Sequence, residues 1–398
     1  MKELRKGVYW VGASDWKVRY FHGNELSTHR GSTYNSYLIK DEKTVLIDTV
    51  WEPLTDRFLE NLSEVVDIKK IDYVVMNHME PDHSGALPTI MEYIPDATII
   101  VSKRGVETIK EYYHKDWKLK VVNQGDKLSI GKNELTFIEA SMLHWPDSMF
   151  TYLSGENILF SNDAFGQHFA SSEIFNDLVD EAEVYQEAIK YYANILTPFS
   201  NFVTRKINQL KELNLPVEMI APSHGVIWRK DPMSIVEKYY EWAQGKSEKS
   251  VVIIYNSMWG ATHKMAEFIA KGLGMAGVEY KIFNTATADR NDILAEVFKS
   301  KGVILGSSTV NNGLLTSLMP VIEDLIGLKF INKVGAAFGS YGWSGESPKL
   351  LSEYLTKAKI EVIQEGLKAK YMPDTEELDK CIEFGKNFGE TMLSKFND

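Results

Sequence analysis

The sequence predicts an α/β protein built in two parts, and three observations carry that expectation. At 398 residues the chain exceeds what one ordinary core accommodates. Its first part opens in β-rich sequence, whereas residues 251–398 alternate strand and helix in a regular rhythm. Between them lies Gly245-Lys246-Ser247-Glu248-Lys249-Ser250, small, polar and charged, which is the best linker candidate in the chain. The expected division is therefore 1–245 and 251–398.

In the first part, Tyr34 to Ile39 and Thr44 to Val50 are apolar runs joined by the polar turn Lys40-Asp41-Glu42-Lys43, so a hairpin is expected. Pro53, at the position proline favours in a first turn, opens a helix-period stretch to Val66. Ile71 to Met76 is a short buried strand by its apolar run. Further strands are expected at Ala97–Val101, Leu135–Ala140, Met149–Leu153, Ile158–Ser161 and Val217–Ala221, with helices over 176–195, 201–213 and 231–244. In the second part the strand runs are Val251–Tyr255, Val278–Phe283, Val303–Gly306, Lys333–Phe338 and Ile360–Ala369. Strands alternating with helices in this way imply a doubly wound parallel sheet covered on both faces.

Composition narrows the function. A formal charge of −11 disfavours nucleic acid or an anionic membrane surface as the main partner. The opening MKELRKGVYW has no signal-like apolar stretch, and no apolar run is long enough to span a bilayer, so a cytoplasmic protein is expected. A single cysteine, Cys381, allows neither an internal disulfide nor an iron–sulfur cluster on this chain's own thiolates.

The strongest chemical signal follows the strand ending at Met76. His78, Glu80, Asp82 and His83 offer four ligands within six residues, and His144, Asp163 and His224 follow, each beside a strand end and a turn. Isolated histidines are usually surface or core residues, but a six-residue motif with three further ligands, all at strand ends, is not expected by chance. The pattern H-x-E-x-D-H with later His, Asp and His resembles the metallo-β-lactamase superfamily over residues 1 to about 245 and implies an αββα sandwich. Where the zinc hydrolases of that superfamily carry a histidine, this chain has Glu80, and in this it resembles the flavodiiron branch. Four imidazoles and three carboxylates suit two irons, although donor type alone does not exclude zinc or manganese. The resemblance implies that one iron takes His78, Glu80 and His144 and the other takes Asp82, His83 and His224. Asp163 then bridges, and Asp163, Glu80 and His83 are the catalytic candidates. His22, Tyr192 and His168 are weaker candidates for the pocket around the metals, a packing role being at least as natural for each.

The second signal lies at three strand ends. Val251–Tyr255 runs into Asn256-Ser257-Met258-Trp259-Gly260-Ala261-Thr262 and then a helix, where unpartnered amides form an anion site. No lysine completes a nucleotide-triphosphate loop. The third strand ends in Ser307-Ser308-Thr309-Val310-Asn311-Asn312-Gly313, and the fourth in Ser340-Tyr341-Gly342-Trp343-Ser344-Gly345. Ser257-x-Trp259-Gly260-x-Thr262 resembles the phosphate loop of flavodoxins, and such a sheet gathers these loops at its switch point. FMN is the implied cofactor, with Trp259, Tyr341 and Trp343 offering faces to its ring. Ala261 and Ser308 depart from residues common in that family. A G-x-G-x-x-G at Gly272–Gly277 closes a helix rather than opening one, so it is rejected as a dinucleotide site.

Together these resemblances imply a flavodiiron oxidoreductase that reduces O2 to water, NO to N2O, or both, with O2 slightly preferred. Reducing O2 takes four electrons, and reduced FMN with a diferrous pair holds four. A rubredoxin or similar small donor and a head-to-tail homodimer are also expected. The competing expectation is a zinc hydrolase fused to a redox domain; a bare electron carrier leaves seven ligands without work.

Overall fold

The computed structural model describes residues 1–397, which form two compact units. One comprises Met1–Tyr191 with Phe199–Tyr240, and the other takes Tyr192–Pro198 with the chain from Glu241 onward. The first strand of the second unit starts at Glu248, within the segment expected as a linker.

In the first unit, apolar residues alternate or run continuously along two sheets and bury between them. A seven-stranded sheet is ordered Lys2–Arg5, Val8–Trp10, Tyr37–Lys40, Thr44–Ile47, Tyr73–Met76, Thr98–Ser102 and Leu119–Val122. A five-stranded sheet is ordered Lys127–Ser129, Glu134–Glu139, Met149–Leu153, Ile158–Asn162 and Met219–Pro222. Val45, Ile47, Val75 and Ile100 of the first share one core with Leu135, Phe137, Leu153 and Phe160 of the second. Helix Lys103–Tyr113 packs on the first sheet, and its start is fixed by the Ser102 hydroxyl, which accepts from the Gly105 N–H at 3.1 Å. Strands 44–47, 73–76, 98–102 and 119–122 are parallel, as are 158–162 and 219–222. Parallel pairing brings strand ends together, and three of these ends release the chain just before Asn77, Asp163 and Ser223.

Several expected elements are reshaped locally. Pro53 sits in a 3-10 turn, Glu52–Leu54, and the α-helix proper is Thr55–Ser63. The helix expected over 176–195 runs only Glu181–Tyr191 before a π-helical turn, Tyr192–Leu196. The opening strands Lys2–Arg5 and Val8–Trp10, four and three residues long, are too short to stand out in sequence.

The second unit orders its strands Tyr280–Asn284, Glu248–Asn256, Ser300–Ser308, Val334–Tyr341 and Glu361–Val362, all parallel. In chain order this is 2-1-3-4-5, the flavodoxin-like winding. The run Ile360–Ala369 is two short strands, Glu361–Val362 and Leu367–Lys370, both pairing with Val334–Tyr341. Gly366, between them, passes so near Pro348 that a Cβ there would lie 2.8 Å from the proline Cβ. The glycine-rich run at 272–277 also finds its cause. A Cβ on Gly272 would meet the Ile382 carbonyl oxygen at 2.0 Å, so this glycine lets helices Ala261–Met275 and Thr375–Lys395 approach. No helix among the described residues is long and apolar enough to cross a membrane.

Candidate metal centre and flavin pocket

The metal loop is held at its root before it offers any ligand. Asn77, the residue after strand Tyr73–Met76, donates its N–H to Asp48 Oδ1 at 2.7 Å and its side-chain amide to Asp48 Oδ2 at 3.1 Å. The Thr151 hydroxyl donates to Asn77 Oδ1 at 2.7 Å. Glu80 then precedes Pro81, which starts the one-turn helix Pro81–Ser84 and winds Asp82 and His83 back toward the sheet ends.

The seven sequence-predicted ligands come together as two groups. In the first, Glu80 Oε2 lies 3.2 Å from His78 Nε2 and 3.3 Å from His144 Nε2. Asp163 Oδ2 lies 3.8 and 3.6 Å from the same two nitrogens. In the second, Asp82 Oδ2 lies 3.0 Å from His224 Nε2 and 3.4 Å from His83 Nε2. Asp163 Oδ1 lies 3.1 Å from His83 Nε2 and 3.6 Å from His224 Nε2. Asp163 thus gives one oxygen to each group. Donors about 2.1 Å from one ion stand about 3.0 Å apart at a right angle and about 3.4 Å at the tetrahedral angle. The observed spacings suit two ions with little rearrangement.

Buried polar atoms support the same fit. Asp82 Oδ1, His83 Nε2 and Asp163 Oδ2 are buried without a hydrogen-bond partner, an arrangement that is costly unless something else satisfies them. Burial acts to raise the Glu80 carboxyl, yet hydrogen bonds from His144, His22 and His78 hold it far below the usual carboxylate range. Asp163 is likewise held low against burial, first by the charge of His83. Burial would lower His83, but Asp82 and Asp163 push it up to about 9. Cations that bind such a set displace any proton from the imidazole nitrogens they take up.

A further layer of residues orients the ligands. His78 Nδ1 stands 3.1 Å from both oxygens of Asp147, which also accepts the Met79 N–H at 2.8 Å. His224 Nδ1 donates to the Thr33 carbonyl at 2.6 Å. The Tyr191 hydroxyl donates to Asp163 Oδ1 at 3.1 Å. Sequence reasoning missed Asp147 and Thr33, and it named the wrong tyrosine. Tyr192 packs against Trp242 and Phe298 in the second unit, because adjacent helical side chains point about 100° apart. Tyr191 holds the place expected for it. His22 Nε2 lies 3.2 Å from Glu80 Oε1. His168 is buried, its Nδ1 2.8 Å from the Ser32 hydroxyl and its ring 5.0 Å from His224. Burial, then the His224 charge, drives its pKa well down and keeps it neutral. A cavity of about 330 Å³, walled by Tyr20, Phe21, His22, Tyr34 and Trp51, opens onto Glu80 and Asp82.

The flavin pocket is built differently. Gly260, at φ +88, precedes helix Ala261–Met275, and the start of that helix has no side-chain cap. Ser257 Oγ accepts the Gly260 N–H at 3.1 Å. The Thr262 hydroxyl lies 2.9 Å from that of Ser308 and 2.8 Å from that of Ser340. These neutral dipoles suit a phosphate. Beside them a pocket of about 490 Å³ is lined by Met258, Trp259, Ala261, Ser308, Thr309, Val310, Asn311, Ser340, Tyr341, Gly342 and Trp343. Tyr371 and Met372 complete it from the turn after strand Leu367–Lys370, and no sequence signal had pointed to them. Trp259 and Trp343 are 85% and 89% exposed, faces that a planar ring would cover. Of the remaining expected contacts, Ser307 accepts the Leu315 N–H within the protein at 3.0 Å. Asn312 takes the Ser344 hydroxyl at 3.4 Å, Gly313 pairs with Val310, and Gly345 packs beside the Tyr341 ring.

A sandwich that gathers two histidine–carboxylate groups around one shared aspartate, joined in one chain to a flavodoxin-like sheet, defines a metalloflavoprotein of the oxidoreductase class. Comparison with known proteins agrees. Residues 33–225 match the ODP family β-lactamase model, and residues 253–385 match the flavodoxin model. The chain is 50% identical over 385 residues to the nitric oxide reductase of Moorella thermoacetica, covering 96% of each. It is 48% identical to the anaerobic nitric oxide reductase flavorubredoxin of Klebsiella pneumoniae, covering 96% of this chain and 80% of that one. Among solved structures, rubredoxin oxygen:oxidoreductase of Desulfovibrio gigas matches with a TM-score of 0.97 at 38% identity, over all of both chains. The flavodiiron protein of Giardia intestinalis matches with a TM-score of 0.94 at 35% identity, over 99% of this chain and 97% of that one. This chain belongs to the flavodiiron protein family. FMN and a non-haem diiron pair are its cofactors, and the residues described above fit both.

Proposed function

We propose that this chain reduces NO to N2O, O2 to water, or both, using electrons that a small rubredoxin-like protein delivers through its flavin. The observation that carries this reading is the donor arrangement: two metal groups share Asp163, and Glu80 stands where a zinc hydrolase has histidine. Relatives named for nitric oxide reduction and a structural neighbour named for oxygen reduction support both gases. When bound, two irons and FMN supply up to four electrons at one site.

In this reading His78, Glu80 and His144 hold one iron, Asp82, His83 and His224 hold the other, and Asp163 bridges them. The three carboxylates bring four cationic charges to about plus one, so a neutral diatomic meets little electrostatic barrier. The largely aromatic cavity walls leave room for a small gas to reach Glu80 and Asp82, and His22 Nε2 stands 3.2 Å from Glu80 Oε1. Tyr191 steadies Asp163 through its hydroxyl. Ser257, Gly260 and Thr262 hold the flavin phosphate with Ser308 and Ser340. Met258, Ala261, Ser307, Thr309, Asn311, Asn312, Gly313, Gly342 and Gly345 shape the pocket, and Trp259, Tyr341 and Trp343 face the ring.

The working unit in this reading is a cytoplasmic head-to-tail homodimer. The chain enters the flavin-bearing sheet at Glu248, and the flavin loops lie beyond Asn256, about 30 Å away along the strand. Mixed dimers test this. A chain carrying Asp163→Ala combined with one carrying Ser257→Ala and Thr262→Ala should regain activity, since one intact flavin then faces one intact metal pair. Mixed dimers that form but stay inactive would rule out transfer between subunits.

A further inference from the structure

We propose that Asp147 makes the two metal positions unequal: acting through His78, it tightens the position of His78, Glu80 and His144 relative to that of Asp82, His83 and His224. This rests on the ligand assignment above. Asp147 is buried and rigidly held, since its Oδ2 accepts the Met79 N–H at 2.8 Å and its carbonyl accepts the Ser102 hydroxyl at 2.7 Å. Both carboxylate oxygens then face His78 Nδ1 at 3.1 Å. A proton donated from Nδ1 to a full negative charge leaves Nε2 a stronger donor and locks the ring's orientation.

Among the described residues, the hydrogen bonds at the other position are of a different kind. His224 Nδ1 donates to a neutral carbonyl, that of Thr33. Asp163 Oδ1, the oxygen turned to His83 and His224, gives up electron density to the Tyr191 hydroxyl, whereas Oδ2, turned to His78 and His144, has no hydrogen-bond partner. Asp48 is a buried carboxylate whose charge interacts with His83, while its two oxygens accept from Asn77 at 2.7 and 3.1 Å. His22 approaches Glu80 through Oε1, not through the oxygen shared with His78 and His144. A charged hydrogen-bond acceptor therefore stands behind His78 at one position and a neutral carbonyl behind His224 at the other.

The test is stepwise iron removal from the anaerobic holoprotein with graded 2,2′-bipyridine, reading iron and FMN retained per chain. Wild type should lose iron in two steps, and His224→Gln should lack the early one. Asp147→Asn keeps the shape and an acceptor oxygen but removes the charge. Its late step should need 10–100-fold less chelator, roughly the cost of losing such a partner, with the early step unmoved. Asp147→Glu should recover part of the shift. A single-step release in wild type overturns the proposal whether or not the variants fold. So does an Asp147→Asn profile that overlays wild type, or one in which both steps shift together with a lower apoprotein melting temperature. A wild-type protein that takes up no more than one iron contradicts the ligand assignment instead.

Discussion

The two cofactor sites sit on comparable features, the carboxyl ends of parallel strands, yet they solve opposite problems. The metal centre holds seven ionisable side chains, five of them buried and Glu80 and His144 at 12% exposure, and balances them against one another within 3.0–3.8 Å. The flavin pocket contains hydroxyls, amides and exposed aromatic faces, and its lining residues include no charged side chain. Concentrated cationic charge requires dense anionic and imidazole donors fixed in place before it arrives. A phosphate and a planar ring require only dipoles at a helix start and flat surfaces. The metal centre should therefore fail as a unit, and the flavin pocket contact by contact.

The sharpest way to break that contrast is Asp163→Ala. It removes the one residue common to both metal groups, so iron should fall from two per chain to near zero while FMN stays. Retention of both irons, measured by elemental analysis, would remove the basis for a shared bridge. Next in size is Glu80→His, which makes the site about one charge more positive and restores a hydrolase-like ligand set. Zinc should replace iron, and because zinc has no accessible redox change, gas reduction should drop by at least about 100-fold. Unaltered iron content and turnover would mean that Glu80 does not select the metal.

On the flavin side, effects should be graded. A hydrogen bond to a charged group is worth about 1.5–3 kcal/mol, so Ser257→Ala or Thr262→Ala should each weaken FMN binding roughly 10–100-fold by fluorescence titration, with iron unaffected. The smallest effect concerns Cys381, on the helix behind the flavin sheet, where burial and then Glu377 push the thiol up to about 12 from 9.0. The unfolded chain ionises this thiol first, so its contribution is intact below pH 9 and is lost as pH rises toward 12. A thiol reagent should leave Cys381 unmodified at pH 8 until the chain unfolds; rapid labelling of the native protein would contradict its burial.

The same contrast explains what was legible in the sequence. The candidate metal ligands stood out because seven ionisable residues fall in one ordered pattern beside strand ends. The groups behind them did not. Asp147 is one more acidic residue in a loop until the fold brings it 3.1 Å from a histidine 69 positions away. Tyr191 and Tyr192 differ only by the helical register that the following π-turn terminates. In the second unit, glycine-rich loops after strands one, three and four announced the pocket, whereas Tyr371 and Met372 lie outside any such loop. The fifth strand is interrupted before Leu367, where Gly366 passes close to Pro348, a tertiary contact that periodicity does not encode.

The central claim is that one chain couples a flavin to a diiron pair for reducing a diatomic gas. The direct measurement is anaerobic reduction of the purified holoprotein followed by stopped-flow mixing with O2 and, separately, with NO, with iron and FMN quantified on the same sample. The account predicts two irons and one FMN per chain, with flavin reoxidation that follows gas concentration and yields water or N2O. A protein that carries two zinc ions, or whose reduced flavin survives mixing with both gases while the iron is fully loaded, would contradict it.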